Sequence, residues 1–182
     1  RYSFELARSR PKRKLTSVTK SNAQQYTLVL WDEIFSELKG EYPDVATEKW
    51  HVDAMAARFV THPETLDVVV ASNLFADILT DLGGAITGSL GMSPSANIDP
   101  SRRYPSMFEP VHGSAPDITG KGIANPIAAI WAGALMLEFL GEKPAADCVM
   151  DGIVAVMQAG QALTPDLGGA ARTADTAHAV RE

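Results

Sequence analysis

Apolar and polar positions along this chain change period repeatedly, from the three-to-four-residue spacing of a helix to the near-continuous apolar runs of a buried strand. Tyr2, Phe4, Leu6 and Ala7 among polar neighbours predict the middle of an amphipathic helix that reaches Arg10 and stops at Pro11. Since Arg1 already stands inside that pattern, a segment upstream is expected. Leu15-Thr16-Ser17-Val18-Thr19 predicts a short strand, followed by a helix around residues 31–38 with Gly40 as its terminator. Another helix is expected over 53–61, ahead of Pro63. Residues 66–71, rich in valine, form the clearest strand, and their unbroken apolar character is that of a parallel strand covered on both faces. Helical spacing returns over 74–82, and Gly83-Gly84 breaks it.

Residues 88–105, rich in Gly, Pro and Ser, have little periodicity and read as loop with short strand. Asn125-Pro126 then opens the strongest helix, with Asn as cap, Pro at the first position and Gly141 just past the end. Its apolar residues, from Ile127 to Leu137, lie nearly all round, so burial is expected. Two further helices, over 145–159 and 173–181, close the chain. Strands alternating with helices predict an α/β layered architecture.

Composition narrows the function. At 182 residues, 46% hydrophobic and 21% charged, the chain has the profile of a globular protein with a real core. A net charge of -6 and a pI near 5.2 argue against a nucleic-acid partner, which needs a basic face. The basic cluster Arg8, Arg10, Lys12, Arg13 and Lys14 reads as a solvated helix end leading into a turn. Cys148 is the single cysteine, which rules out an intramolecular disulfide or a Cys-rich metal site and suits a reducing cytoplasm. No run approaches the roughly 20 apolar residues that span a bilayer.

Several polar constellations remain. Asp77 and Asp81 are spaced i, i+4, which puts both carboxylates on one helix face directly after a buried strand, where ligands of open α/β sheets collect. They are either solvated acids or the oxygen donors that a hard divalent cation favours. Asp53 occupies the place of a helix N-cap and could alternatively supply a third oxygen. Lys20 ends a strand with Asn22 two residues on; it is either solvated or, beside a cation, a proton-transfer group. His51, His62 and His178 lack metal-ligand spacing. In the loop 109–117, His112, Gly113, Ser114 and Ala115 allow close approach to a ligand. Asp117 could accept hydrogen bonds from both ribose hydroxyls and would repel a 2′-phosphate. Neither G-x-G-x-x-G nor a P-loop is present.

Taken in order, Thr19-Lys20-Ser21-Asn22, Val52-Asp53, residues 72–81 and residues 108–126 resemble the β-decarboxylating dehydrogenases, the family of isocitrate, isopropylmalate, tartrate and D-malate dehydrogenases. The likeness covers nearly the whole chain. Residues 17–24, residues 96–100 and Leu82, where the isopropylmalate and isocitrate branches usually carry Glu, are most similar to the tartrate and D-malate branch. The resemblance implies an isopropylmalate dehydrogenase-like three-layer α/β fold represented by its C-terminal half. Residues 1–76 would be the later part of the smaller, dimer-forming domain, and residues 77–182 the returning part of the larger, nucleotide-binding domain.

By the same resemblance, Asp77 and Asp81 would hold Mg²⁺ or Mn²⁺, with Asp53 reaching the metal of a neighbouring subunit. Lys20 would act across the same homodimer and move a proton, and Asn22 would lie near substrate and nicotinamide. His112, Gly113, Ser114 and Ala115 would take the adenosine end of NAD, and Asn125 the adenine. Members that prefer NADP carry Lys-Tyr where this chain has Asp117-Ile118. The implied reaction is metal-assisted oxidation of a small 2-hydroxy dicarboxylate at C2, with hydride passing to NAD and, in some members, loss of CO₂. The family's substrate-binding arginines and catalytic tyrosine have no counterpart here, so this chain alone is expected to be inactive. An isopropylmalate or isocitrate dehydrogenase, and a non-catalytic dimerisation or binding module, are the alternatives.

Overall fold

The computed structural model describes residues 1–182, which form two compact units, Arg1–Gly83 and Gly84–Glu182. The division expected after residue 76 falls inside a helix that crosses this boundary.

In the first unit, α1 (Tyr2–Ser9), β1 (Lys14–Thr19), α2 (Thr27–Glu41), β2 (Ala46–His51), α3 (Val52–Thr61), β3 (Val68–Val70) and α4 (Asn73–Ile86) follow in order. The three strands form an all-parallel sheet of order β2-β1-β3. Parallel pairing requires each connection to cross back over the sheet, which the intervening helices accomplish. The register sets Leu15 opposite Val68 and Ser17 opposite Val70. Alternation therefore sends Leu15, Val68 and Val70 to one face and Val18 with Val69 to the other. Each face has its own cluster: Phe4, Ala7, Leu15, Tyr42, Val45 and Val68 on one side; Val18, Leu28, Met55, Phe75 and Leu79 on the other. Covering both faces gives helix, sheet and helix layers.

Two expectations shift here, and one strand was not foreseen. The helix expected over 31–38 is α2, which begins four residues earlier at Thr27. The strand expected over 66–71 is shorter, Val68–Val70. β2, the polar run Ala-Thr-Glu-Lys-Trp-His, carries no strand pattern in sequence; cross-strand polar contacts hold it. Glu48 lies 3.1 Å from Lys14 Nζ and accepts a 2.9 Å hydrogen bond from Thr16 Oγ1. The basic cluster near Pro11 is largely absorbed internally: Arg8 pairs with Asp44, Arg10 with Asp67, and Lys12 donates to the carbonyls of Glu64 and Leu66.

In the second unit, the hairpin β4 (Pro94–Asn97) and β5 (Met107–Pro110) pairs antiparallel, and α5 (Ile127–Leu140), α6 (Lys143–Ala159) and α7 (Thr173–Arg181) follow. Asp99 ties the hairpin loop by accepting from the N–H groups of Ser101, Arg103 and Tyr104. α5 packs on the hairpin and on α6, and α6 on α7. At its end Gly141 takes the left-handed conformation, φ 94°, and donates to the Glu138 carbonyl while Glu142 N–H reaches Leu137, the double bond of a Schellman end.

Candidate active site

Because β1, β2 and β3 are parallel, their C-terminal ends share one edge of the sheet, the edge at which open α/β sheets bind ligands. Lys20 is the first residue past β1, Asp53 is the second residue of α3, which starts directly after β2, and Asp77 and Asp81 lie on α4 just beyond β3. The strand ends thus bring Lys20 and Asp53 together from 33 positions apart and launch the helix that bears Asp77 and Asp81.

Lys20 Nζ donates to Asp53 Oδ1 at 2.6 Å. The lysine side chain is 25% exposed and the aspartate 67%, so the pair is an accessible feature rather than a buried structural one. The hydrogen bond from Lys20, aided by main-chain N–H groups at the start of α3, holds the Asp53 carboxyl below the usual carboxylate range. The cap reading of Asp53 does not hold: His51 is the residue before the helix, and Asp53 sits within the first turn, where an acid still favours the positive end of the helix dipole. Asn22 is exposed in the turn that follows Lys20, a turn closed by the N–H groups of Ala23 and Gln24 on the Lys20 carbonyl at 2.9 Å each.

α4 is anchored by Phe75 and Leu79, which are buried, while Asp77 and Asp81 on its other side are exposed. No three carboxylate, histidine or cysteine groups converge within this chain to form a metal cluster. Two hard oxygen donors one helical turn apart suit Mg²⁺ or Mn²⁺, which complete their coordination with water, substrate or groups from elsewhere.

In the second unit, β5 runs into the loop bearing His112, Gly113, Ser114 and Ala115, all exposed, and Asp117 lies in a short 3-10 turn, Pro116–Ile118. A Cβ added at Gly113 would meet no atom within 4 Å, so the loop is open on that side. His112 Nδ1 is 3.0 Å from the Gly113 carbonyl oxygen. The cap position of α5 falls on Pro126, one residue later than expected, and Asn125 just before it ties the helix start, its Oδ1 accepting from Ile127 N–H at 2.9 Å while its Nδ2 donates to Asp166 Oδ2 at 2.9 Å. Each end of that side chain thus holds one partner, which fixes its orientation and leaves one N–H and one lone pair free. Burial acts to raise the Asp166 pKa, but hydrogen bonds from Ser89 and Asn125 outweigh it and hold the carboxyl low. Gly91 completes this clasp, since a Cβ there would lie 2.8 Å from Asn125 Cβ.

Sequence reasoning missed Asp166 and a second carboxylate, Asp32, whose Oδ2 accepts from both Ser21 Oγ and Lys49 Nζ at 2.8 Å. Neither has a linear signal, since the partners are 11 to 77 residues away.

Residues 1–182 match the family of isocitrate/isopropylmalate dehydrogenases. The chain is 59% identical over 180 residues to a probable tartrate dehydrogenase/decarboxylase of Agrobacterium vitis, covering 99% of this chain and 50% of that protein. It is 53% identical over 185 residues to the decarboxylating D-malate dehydrogenase of Escherichia coli, covering 99% and 51%. The isocitrate dehydrogenase crystal structure from Methylococcus capsulatus superposes with a TM-score of 0.92 at 41% identity, over 99% of this chain and 53% of that one. The chain therefore spans about half the length of the relatives it matches. Its sequence, its α/β fold and the extent of the match agree: the chain belongs to the isocitrate/isopropylmalate dehydrogenase family.

Proposed function

We propose that this chain is the C-terminal half of an NAD-dependent, Mg²⁺- or Mn²⁺-dependent dehydrogenase that oxidises tartrate, D-malate or a close 2-hydroxy dicarboxylate. The observation that carries the reading is that the Lys20–Asp53 pair, joined at 2.6 Å, and the helix that bears Asp77 and Asp81 each follow a strand end of one parallel sheet. The branch is supported by 50–59% identity to tartrate and D-malate dehydrogenases, against 41% to an isocitrate dehydrogenase.

When bound, the cation would supply positive charge to the substrate's hydroxyl and carboxylate oxygens, and NAD would accept the hydride. The chain's own residues then divide the work. Asp77 and Asp81 hold the cation from one helix face. Lys20, placed by Asp53, moves a proton in the reaction, and Asn22 in the adjoining turn lies near substrate and nicotinamide. His112, Gly113, Ser114 and Ala115 line the adenosine end, Asp117 accepts from the ribose hydroxyls, and Asn125 hydrogen-bonds adenine. Asp117 also disfavours a 2′-phosphate by charge.

The working unit in this reading is a homodimer. Asp53 and Lys20 belong together, and Asp77 and Asp81 complete their ligand set with Asp53 of a second copy. α2 and its cap residue support this with an apolar stripe at helical spacing, Tyr26, Leu30 and Ile34, all exposed here and Tyr26 as much as 91%. No helix is long and apolar enough to cross a membrane. By the chain's likeness to bacterial metabolic enzymes, the reading puts the protein in the cytoplasm.

The experiment is NADH formation at 340 nm by the full-length gene product with Mn²⁺, on D-malate, tartrate, isopropylmalate and isocitrate, with and without a chelator. Chelator-sensitive turnover of D-malate or tartrate is expected. Turnover confined to isopropylmalate or isocitrate would overturn the branch, and inactivity on all four would favour a binding module.

A further inference from the structure

The turn that carries Lys20 is gripped by two consecutive residues of α2. Trp31 Nε1 donates to Ser17 Oγ at 2.9 Å, within β1, and Asp32 Oδ2 accepts from Ser21 Oγ at 2.8 Å, just past Lys20. Ser17 and Ser21 flank Lys20 in the chain, so both approaches to the lysine are tied to the same helix. The Asp32 side chain is only 14% exposed. A carboxylate withdrawn from water in the middle of a helix needs compensation. Lys49, half exposed, supplies the countercharge at 2.8 Å, yet a surface ion pair alone gives no reason for the burial. Burial acts to raise the Asp32 pKa, and the hydrogen bonds from Lys49 and Ser21 outweigh it, so the carboxyl stays ionised. A charged acceptor makes the Ser21 bond roughly twice as strong as a neutral one.

Resting on the reading of Lys20 as the proton-moving group, we propose that Asp32 is a positioning residue that fixes the root of Lys20 through the Ser21 hydroxyl. Asp53 holds the tip of that lysine at 2.6 Å, and Asp32 holds the backbone from which it springs. An amine held at both ends returns to one place at each turnover, and proton transfer is sensitive to displacements of about 1 Å.

The test uses the full-length gene product with Mn²⁺, NAD and its best dicarboxylate substrate. Ser21→Ala removes the hydroxyl with little change in packing, and Asp32→Asn removes the charge while keeping the shape. Each should lower kcat on the order of tenfold while KM for NAD and Mn²⁺ affinity stay as in the wild type. Ser21→Thr should restore the rate, and the double variant should be no worse than either single one, because both break one linkage. Wild-type kcat in Ser21→Ala, with Lys20→Met inactive, would overturn the positioning role alone. Should Asp32→Asn fail to fold, Ser21→Ala decides. Activity retained by Lys20→Met would instead overturn the reading of Lys20 itself.

Discussion

Leu79 lies between Asp77 and Asp81 in sequence but on the opposite side of α4, 2% exposed and packed with Val18, Leu28, Met55 and Phe75. Replacing it with Ala removes buried carbon from a site whose neighbours belong to a sheet and three helices, so little collapse can fill the space. Leu→Ala changes in sealed cores cost about 2–5 kcal/mol, and a central value of about 3 kcal/mol is expected here. Measured by hydrogen exchange in the full-length gene product, amides of β1 and α4 that open only by global unfolding should exchange roughly 150-fold faster. Asp77→Asn should behave in the opposite way. It relieves a like-charge pair at i, i+4 worth a few tenths of a kcal/mol, so protection without metal should hold or rise slightly. Mn²⁺ at about 100 times its Kd should add about 2.7 kcal/mol of protection to the wild type and to Leu79→Ala, and almost none to Asp77→Asn. A loss below about 1 kcal/mol for Leu79→Ala would refute the packing argument. Metal protection surviving Asp77→Asn would refute the metal assignment.

Three further outcomes are expected. NADP should be the poorer cofactor, and Asp117→Lys should raise the NADP-to-NAD ratio of kcat/KM by roughly tenfold or more, since it replaces a repulsive charge with an attractive one; an unchanged ratio counts against the ribose contact. Ile34→Asp, which puts a charge in the apolar stripe of α2, should shift the protein from dimer to monomer in sedimentation at micromolar concentration, and an intact dimer would place the interface elsewhere. Asp32 and Asp53 titrate below their unfolded value near 3.8, so each stabilises the first unit fully above that value and loses its contribution as pH falls through the lower folded-state value; in Asp32→Asn, unfolding should depend less steeply on pH between about pH 5 and pH 2.

What could be read from the residues was whatever local pattern determines. The valines of β3, the i, i+4 acids of α4, and the Asn-Pro start and Gly141 end of α5 each express a local rule, and each element lies where it was expected within a few residues. The failures share a cause. β2 has the sequence of a loop because its stabilising partners, Lys14 and Thr16, are more than thirty residues away. The start of α2 was missed because Tyr26, at the cap position, makes no side-chain cap bond. Asp53 read as a cap because its neighbours suggest one, yet Lys20, 33 positions earlier, claims the carboxylate. At the candidate site, residue types were legible, but their grouping was not, because the parallel sheet performs that grouping.

The composition of β1 explains how this sheet can serve such a site. A central parallel strand buried on both faces is usually Val- and Ile-rich, yet Thr16, Ser17 and Thr19 are here fully buried. Such hydroxyls weaken a core unless they are paired. Thr16 donates to Glu48 and fixes the polar strand β2, whose end launches α3 and Asp53. Ser17 accepts from Trp31 and fixes α2, whose next residue secures the Lys20 turn. Polar atoms inside the sheet thus orient the elements that present Lys20 and Asp53, a directional constraint that apolar packing does not impose. An all-apolar β1 would keep the layers together while leaving α2 and β2 freer to shift along the strand. Placing the lysine and its aspartate at hydrogen-bond distance requires that freedom to be removed, and the paired hydroxyls of Thr16 and Ser17 remove it, while that of Thr19 has no partner.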